Sequence, residues 1–570
     1  MSRNKLSILF PWQDRVTYRV LPEDTWHDLG LDVLVEKVAQ QPQEAPLLRR
    51  VMESLTDDPE VCRFRCDVFE DLYRHPEIRT SLTKLLDQVK MFYDYGVVSR
   101  HAGDEAGVWD LMHRLEEYHD YIVTVEAIRS CLENRELVSD GLRNLRETIC
   151  GIYDSSGFAA LRRDVEEMRI SASEVRSLTI GVNVNERFEA VSMGLVAVNA
   201  KPFTRSGLLK HFVSAVSSRN DIRPEAEWNG SLSFEPASPT AGIGGTLEQA
   251  ARTAAFLKNP LLGMSLAPIP RQDGSYDVPR QMDNAASQLV SRLVRKLRDT
   301  LAQYLNVSVR EISDLIPELL FYVRWSEYLE KLRARGWTFS KPSVRKASSS
   351  PAGMEARGFY NLKLIDSVRP DQAVPNDLSF DPEKRVYLLT GANRGGKTTV
   401  TQAVGQLFLL AQSGVFVPAD SFSFDPADQV LTHFPADEDR TLDLGRLGEE
   451  CRRFREIYSS ATGRSVLLLN ETFSTTSFEE GYYIAVDAVR AILKKDARTI
   501  YNTHMHKLAK ELDTDINESG VSGKAVSLTA ETVDGRSTFR VRVAPPEGKS
   551  YARGIAEKYG VTYEDLTGGT

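Results

Sequence analysis

From about residue 25 to 175, apolar positions recur at three- and four-residue steps. Trp109, Met112, Leu115, Tyr118, Ile122, Val125, Ile128 and Leu132 form one such stripe, the pattern of a helix with one buried face. The segment from Pro59 to Tyr95 repeats it, with His75–Ile78 as a break and restart. These stripes predict the core of a helix bundle and carry no chemistry. At Ser177 the period drops to two. Leu178, Ile180, Val182 and Val184 alternate, residues 185–187 turn, and residues 188–199 return, which predicts a β-hairpin. Gly-, Pro- and Ser-rich stretches at 229–246 and 259–280 read as loops, and helix is expected again from Asn284 to Arg335. Residues 346–357 have the composition of a linker. Beyond them, apolar runs of strand length (385–391, 465–471 and 498–504) alternate with helical stretches. That alternation predicts a mostly parallel sheet covered by helices.

The expected architecture is therefore multidomain. A mainly α-helical half covers 1–345 with a small β insert at 177–283, and an α/β domain covers 358–570. A chain of 570 residues exceeds what one hydrophobic core normally holds. The net charge of −9 excludes a basic field over the whole chain, so contact with nucleic acid must come from local patches or from a channel closed by dimerisation. One local patch is Arg292, Arg295, Lys296, Arg298 and Arg310. It reads first as a solvated helix face, with a phosphate-facing surface as the alternative. Five scattered cysteines make no disulfide framework. Cys62 and Cys66 stand four apart, but no matching pair completes a metal site, so packed thiols in a reducing cytoplasm are expected. No run of about 20 apolar residues is present for a membrane helix, and the first apolar run is too short for a signal peptide.

The sharpest chemical signal is Gly391-Ala392-Asn393-Arg394-Gly395-Gly396-Lys397-Thr398, a G-x-x-x-x-G-K-T match after an expected strand and before an expected helix. Glycines let backbone N–H groups approach phosphate oxygens, and the helix start adds partial positive charge. Lys397 is placed to reach β- and γ-phosphates, and the Thr398 hydroxyl to ligate Mg²⁺, with Thr399 beside it. Downstream, an apolar strand ends in Asn470-Glu471. P-loop ATPases usually place Asp at the first position, to hold Mg²⁺ through water. Asn470 can hydrogen-bond such a water but adds no charge. Glu471 is the candidate base, against the plainer reading of a carboxylate at a strand end. A third strand ends in Thr503-His504, where His504 is positioned to sense the γ-phosphate.

Together these segments resemble the ATPase domain of the MutS family. The run from Thr390 to Ala419 resembles its phosphate-binding segment, and Leu467–Ser477 its strand ending in acidic residues. Asn502–Leu508 resembles its histidine loop, and Gly548–Val561 its C-terminal run. Val374–Phe380 resembles the strand ahead of the phosphate loop, where an Asn, here Asn376, lies near the nucleotide. The resemblance implies an ABC-type P-loop ATPase fold, ATP with Mg²⁺, a homodimer formed through the ATPase domains, and DNA as partner. The hairpin at 177–199 sits where a reduced clamp would be. Departures from the pattern are specific. The chain starts in what looks like the family's helical core, which implies a short form without the mismatch-recognition and connector domains. Asn470 replaces the usual Asp. The Ser/Gly-rich segment that approaches the other subunit's ATP reads here as Leu444-Gly445-Arg446-Leu447-Gly448-Glu449, leaving Gly445 and Arg446 as the contact residues. The adenine contact is not assigned. Ala373 stands at the family's aromatic position, with Phe359 and Tyr360 as alternatives. The leading expectation is an ATP-gated dimeric clamp on duplex, mismatched or branched DNA, with slow hydrolysis. The alternatives are a nucleotide-gated binding module with little hydrolysis, or another ABC-type ATPase.

Overall fold

The computed structural model describes residues 6–12, 15–88, 108–172, 177–184, 190–199, 267–268, 314–345, 351–392, 395–435, 445–517, 523–533, 536–546 and 559–567, with a few isolated residues besides. The chain divides into two compact units. One holds residues 1–88, 127–149 and 314–570, and the other 89–126 and 150–313. The helices at the start of the chain thus share a unit with the strands beyond 358, across the expected boundary at 346–357. That expected linker also needs a correction, because residues 354–357 begin a strand. Met354 and Ala356 alternate into the core and pair with neighbouring strands on both sides.

The chain opens with a two-residue antiparallel pair, β1 (Arg19–Val20) and β2 (Ser54–Leu55), around three helices: α1 (Glu23–Asp28), α2 (Leu31–Val38) and α3 (Ala45–Glu53). α4 (Pro59–Arg74) follows. The Asp58 side chain accepts from the Glu60 and Val61 amides, satisfying N–H groups that a helix start leaves open. His75 interrupts the chain before α5 (Pro76–Gln88), as the sequence pattern expects. Next come α6 (Val108–Leu132), α7 (Asp140–Tyr153) and α8 (Ser156–Ala172). In the second unit, Tyr121 meets Phe158 edge-on, and β3 (Ser177–Val184) pairs antiparallel with β4 (Ala190–Asn199). The expected hairpin is therefore present, with β5 (Ala267–Pro268) added at its edge. The loops at 229–246, most of 259–280 and the basic stretch from Arg292 to Arg310 lie outside the described residues.

α9 (Leu315–Ala334) returns to the first unit and is apolar nearly all round, so it is buried there against α2 to α5. Its two buried charged residues, Glu318 and Arg324, find partners inside. Arg324 meets Glu44 at 2.8 Å with both side chains buried, and Glu318 accepts from the Ile8 and Leu9 amides at 2.7 and 2.9 Å.

β6 (Ser343–Val344), β7 (Met354–Phe359) and β8 (Asn376–Phe380) belong to a four-stranded sheet of order β6-β10-β7-β8, with β10 at Ser421–Phe424. The main sheet has six strands in the order β11-β12-β13-β9-β14-β15. These are β9 (Lys384–Thr390), β11 (Val430–His433), β12 (Val466–Asn470), β13 (Arg498–Asn502), β14 (Lys524–Val533) and β15 (Arg536–Val543). The first five run parallel, and β15 closes one edge as an antiparallel hairpin with β14. Near-continuous apolar runs such as Val466–Leu469 fit a parallel sheet covered on both faces.

Helix α10 (Lys397–Gln412) covers one face. Alternate residues (Val386, Leu388, Leu467, Leu469, Tyr501) face the other way into a core with α12 (Phe478–Lys495). α11 (Gly445–Ser460) lies beside β11 and adds Phe454 to that core. α10 is buried almost along its whole length. A Cβ on its Gly405 would come within 2.6 Å of Leu29 and 2.8 Å of Leu468, so the helix is clamped between the N-terminal helices and the sheet. Its three glutamines donate to backbone. Gln402 donates to Asp28, Gln406 to Leu29 and Gln412 to Thr56, while Arg65 of α4 donates to the Gln412 carbonyl at 2.8 Å. Cys62 and Cys66 are packed thiols, and burial pushes the Cys62 thiol up to about 12. Among the described residues no group of three His, Cys, Asp or Glu side chains could hold a metal, and no helix is long and apolar enough to cross a membrane.

Candidate functional site

Three neighbouring parallel strands, β12, β13 and β9, end side by side, and the loops that leave them carry most of the residues singled out in the sequence. In open parallel sheets ligands bind at such carboxyl ends. β9 runs into Gly391. The loop closes at Gly396, which caps α10 in the left-handed region (φ 82°) and offers no side-chain cap. The first N–H groups of a buried sixteen-residue helix are therefore left for an outside acceptor. Gly391 has φ 136°, and a Cβ there would meet Ala530 at 2.8 Å, so only glycine fits the start of the loop. The Lys397 ammonium is buried. It donates to the carbonyls of Gly391 and Ala392 at 3.2 and 3.1 Å, and burial holds its pKa below the ordinary lysine value. A buried ammonium whose hydrogen bonds among the described residues go to neutral carbonyls, with the Glu471 carboxylate acting on it from further off, is suited to an anionic ligand. Asn393 and Arg394 lie outside the described residues.

Beside Lys397, the Thr398 hydroxyl donates to Asn470 Oδ1 at 3.1 Å. Asn502 of β13 donates its amide to the same oxygen and stands 3.4 Å from the Thr398 hydroxyl. Asn470 and Asn502 are register partners, each ending its strand. This donor set is neutral, oxygen-rich and small. It suits a hard divalent cation whose charge is balanced by a bound anion rather than by the protein.

Glu471 leaves β12 with φ 53°, and Phe473 follows with φ 63°. Two left-handed non-glycine residues so close are costly, and such strain persists only where surroundings enforce it. Here the Glu471 amide donates to the Asn502 carbonyl at 2.8 Å, Tyr501 donates to the Thr472 carbonyl at 2.5 Å, and the Phe473 ring is buried against Phe454. The turn holds the half-exposed Glu471 carboxylate 2.8 Å from His504 Nε2.

A cavity of 640 Å³ opens over these groups. Gly395 to Thr399, Glu471 and His504 are among its lining residues, as are Tyr360, Val374 and Phe539. The volume is that of a small-molecule site. Asn376 also lines it, although its amide is occupied. It accepts from the Val541 amide at 2.8 Å and donates to the Phe539 carbonyl at 3.2 Å, which pins β15 across the cavity. Phe539 is half-exposed at φ 60°, with its ring beside Gly396.

The structure thus brings together Asn376, Gly391, Ala392, Gly395, Gly396, Lys397, Thr398, Thr399, Asn470, Glu471 and His504. It does not bring Gly445 and Arg446 into the cavity. They begin α11, which reaches the Glu471 turn indirectly: Glu450 accepts from the Thr475 hydroxyl at 2.9 Å. Two residues were not found by sequence reasoning. Asn502 carried a readable signal, since both neighbouring strands end in Asn. Phe539 carried none, because nothing in its local pattern announces a strand that folds back over the loop.

Two family models match the chain: MutS domain V over residues 387–564 and the MutS2 N-terminal domain over residues 57–335. The chain is similar to the Endonuclease MutS2 of Thermus thermophilus, 29% identical over 218 residues, which are 38% of this chain and 28% of that protein. It is also similar to the DNA mismatch repair protein MutS of Nitratidesulfovibrio vulgaris, 28% identical over 278 residues, or 48% and 29% of the two chains. Its likeness to the DNA mismatch repair protein MutS of Lactobacillus delbrueckii subsp. bulgaricus is 29% over 201 residues, or 35% and 23%. The chain spans less than a third of the length of these curated relatives.

Proposed function

The chain belongs to the MutS family, and on that premise we propose that it is an ATP-dependent DNA-binding protein, a dimeric clamp that ATP closes on duplex or branched DNA. The observation that carries this reading is the convergence of Lys397, Thr398, Asn470, Glu471 and His504 at three adjacent strand ends, beside a helix start left uncapped. In this reading residues 358–570 are an ABC-type P-loop ATPase domain. The loop amides from Gly391 to Thr399 and the Lys397 ammonium bind the phosphates. The Thr398 hydroxyl would hold Mg²⁺ directly and the Asn470 carboxamide through a bound water, and the ion would supply charge neutralisation at the phosphates when bound. Glu471 orients and deprotonates the attacking water, and His504, hydrogen-bonded to it, reads the γ-phosphate. Phe539 stacks on the base, while Asn376 fixes the strand that carries it. Gly445 and Arg446 approach the nucleotide of the second subunit, and the protein works in the cytoplasm.

Hydrolysis is slow in this reading, because Asn470 brings no charge to the cation. Loss of an outer-shell metal partner typically costs about 10–100-fold, so Asn470→Asp is expected to raise turnover by that order. The test is steady-state ATP hydrolysis alone and with linear, mismatched and branched DNA, with Glu471→Ala as the blank and Lys397→Ala as the binding control. Hydrolysis above the blank that changes with DNA supports the clamp. A protein that binds none of these DNAs at low salt, with or without ATP, is not one. Asn470 also favours a second reading, a nucleotide-gated module with little hydrolysis. Tight ATP binding without turnover under any condition would select it.

A further inference from the structure

Asn470 poses a problem that an aspartate would not. A carboxylate presents an oxygen whichever way it turns. A carboxamide presents an oxygen on one side and two N–H donors on the other. Turned the wrong way, Asn470 would aim N–H groups at the place where a cation is to sit, at almost no cost in shape. Something must fix its orientation.

The neighbouring strand supplies it. Asn502 is the register partner of Asn470 on β13 and is fully buried. Its amide N–H donates to Asn470 Oδ1, and the Thr398 hydroxyl donates to the same oxygen at 3.1 Å. With two donors on it, that oxygen is held toward Thr398. Among the described residues, Asn502 Oδ1 is buried without a donor. Among its side-chain contacts, the Asn502 amide is therefore oriented by those to Asn470 and Thr398. Its backbone is fixed separately, because its carbonyl accepts the Glu471 amide at 2.8 Å.

We propose that Asn502 is a positioning residue for the cation: its amide holds the Asn470 carboxamide with the oxygen toward Thr398, so that a neutral pair of amides serves where a carboxylate would otherwise stand. This rests on the reading that Thr398 and Asn470 face Mg²⁺. It predicts that Asn502 matters for Mg²⁺-dependent nucleotide binding and not for binding of the nucleotide itself. It also predicts that the need for Asn502 disappears once residue 470 is a carboxylate.

The experiment measures binding of a fluorescent ATP analogue to the full chain, first in EDTA and then across a Mg²⁺ titration. Asn502→Leu keeps the bulk without the donor, and Asn502→Ala removes both. Each is expected to need about 10-fold more Mg²⁺ for half-maximal binding, with EDTA affinity close to wild type. Asn470→Asp combined with Asn502→Leu is expected to bring the Mg²⁺ requirement back to that of Asn470→Asp alone. Single variants that titrate like wild type overturn the proposal. So does a loss of affinity in EDTA as large as the loss in Mg²⁺, or a double variant no better than Asn502→Leu. A wild-type protein whose nucleotide binding ignores Mg²⁺, or matches that of Lys397→Ala, fails at the underlying reading instead, and the proposal falls with it.

Discussion

His433 ends β11 fully enclosed. Its Nδ1 accepts the Thr472 hydroxyl at 3.0 Å, and its Nε2–H donates to the Glu450 carbonyl at 3.2 Å. Burial, with Arg453 nearby, pushes its pKa down to about 4. The unfolded chain takes up this proton near the ordinary histidine value and the folded chain does not, so stability is lost as pH falls from about 6.5 toward 4, by about 3 kcal/mol in the limit. Asp28 and Glu318 act in the opposite sense. Burial raises them to about 6 and about 7, and what they contribute below the ordinary carboxylate range is lost as pH rises through those values. The total curve mixes these effects, whereas the difference between wild type and His433→Gln isolates one. The urea midpoint of His433→Gln is expected to fall less than that of wild type between pH 6.5 and 4. A second residue-scale prediction concerns Phe539. Stacking of a base on an aromatic ring is worth about 1–3 kcal/mol, so Phe539→Ala is expected to weaken ATP by that amount and leave inorganic triphosphate unaffected in competition binding. At this scale the sequence was readable where a residue's role is written in its neighbours. Lys397 and Thr398 follow glycines, and Glu471 and His504 follow the ends of apolar strands. It was silent on His433, whose partners lie in segments 17 and 39 residues away.

Helix α10 decides the element scale. Its glycine lies mid-helix, where alanine is normally preferred by about 1 kcal/mol. Packing opposes that preference here, because a Cβ at 405 would press on Leu29 and Leu468 within 2.8 Å. Over-packing a close-packed core costs about 1–3 kcal/mol, so Gly405→Ala is expected to lower the melting temperature despite its gain in helix propensity. An unchanged or raised melting point would mean that the N-terminal helices give way freely. The strands at Lys384–Thr390, Val466–Asn470 and Arg498–Asn502 were legible as apolar runs ending in polar residues, because burial on both faces leaves little room for anything else. Which strands are neighbours was not legible. β9 sits between β13 and β14, both more than a hundred residues later, and only register fixes that order.

At the scale of the molecule, the side chains of α10 join the loop that ends at Gly396 to the start of the chain. Gln402 and Gln406 hold the carbonyls of Asp28 and Leu29, where α1 gives way to α2. Nucleotide bound at that loop is therefore expected to slow amide hydrogen exchange in Glu23–Val38, and Gln406→Leu to diminish that protection. The hydrophobic pattern suggested a helical half and a separate sheet domain, because pattern reveals elements and not what they are buried against. One consequence reaches back to synthesis. The apolar and polar faces that residues 23–74 turn toward α10 have no counterpart until residues 397–412 are made. At about 5–20 residues per second, the ribosome leaves those helices without their partner for on the order of 15–60 s, long enough for the nascent chain to need shielding from its neighbours.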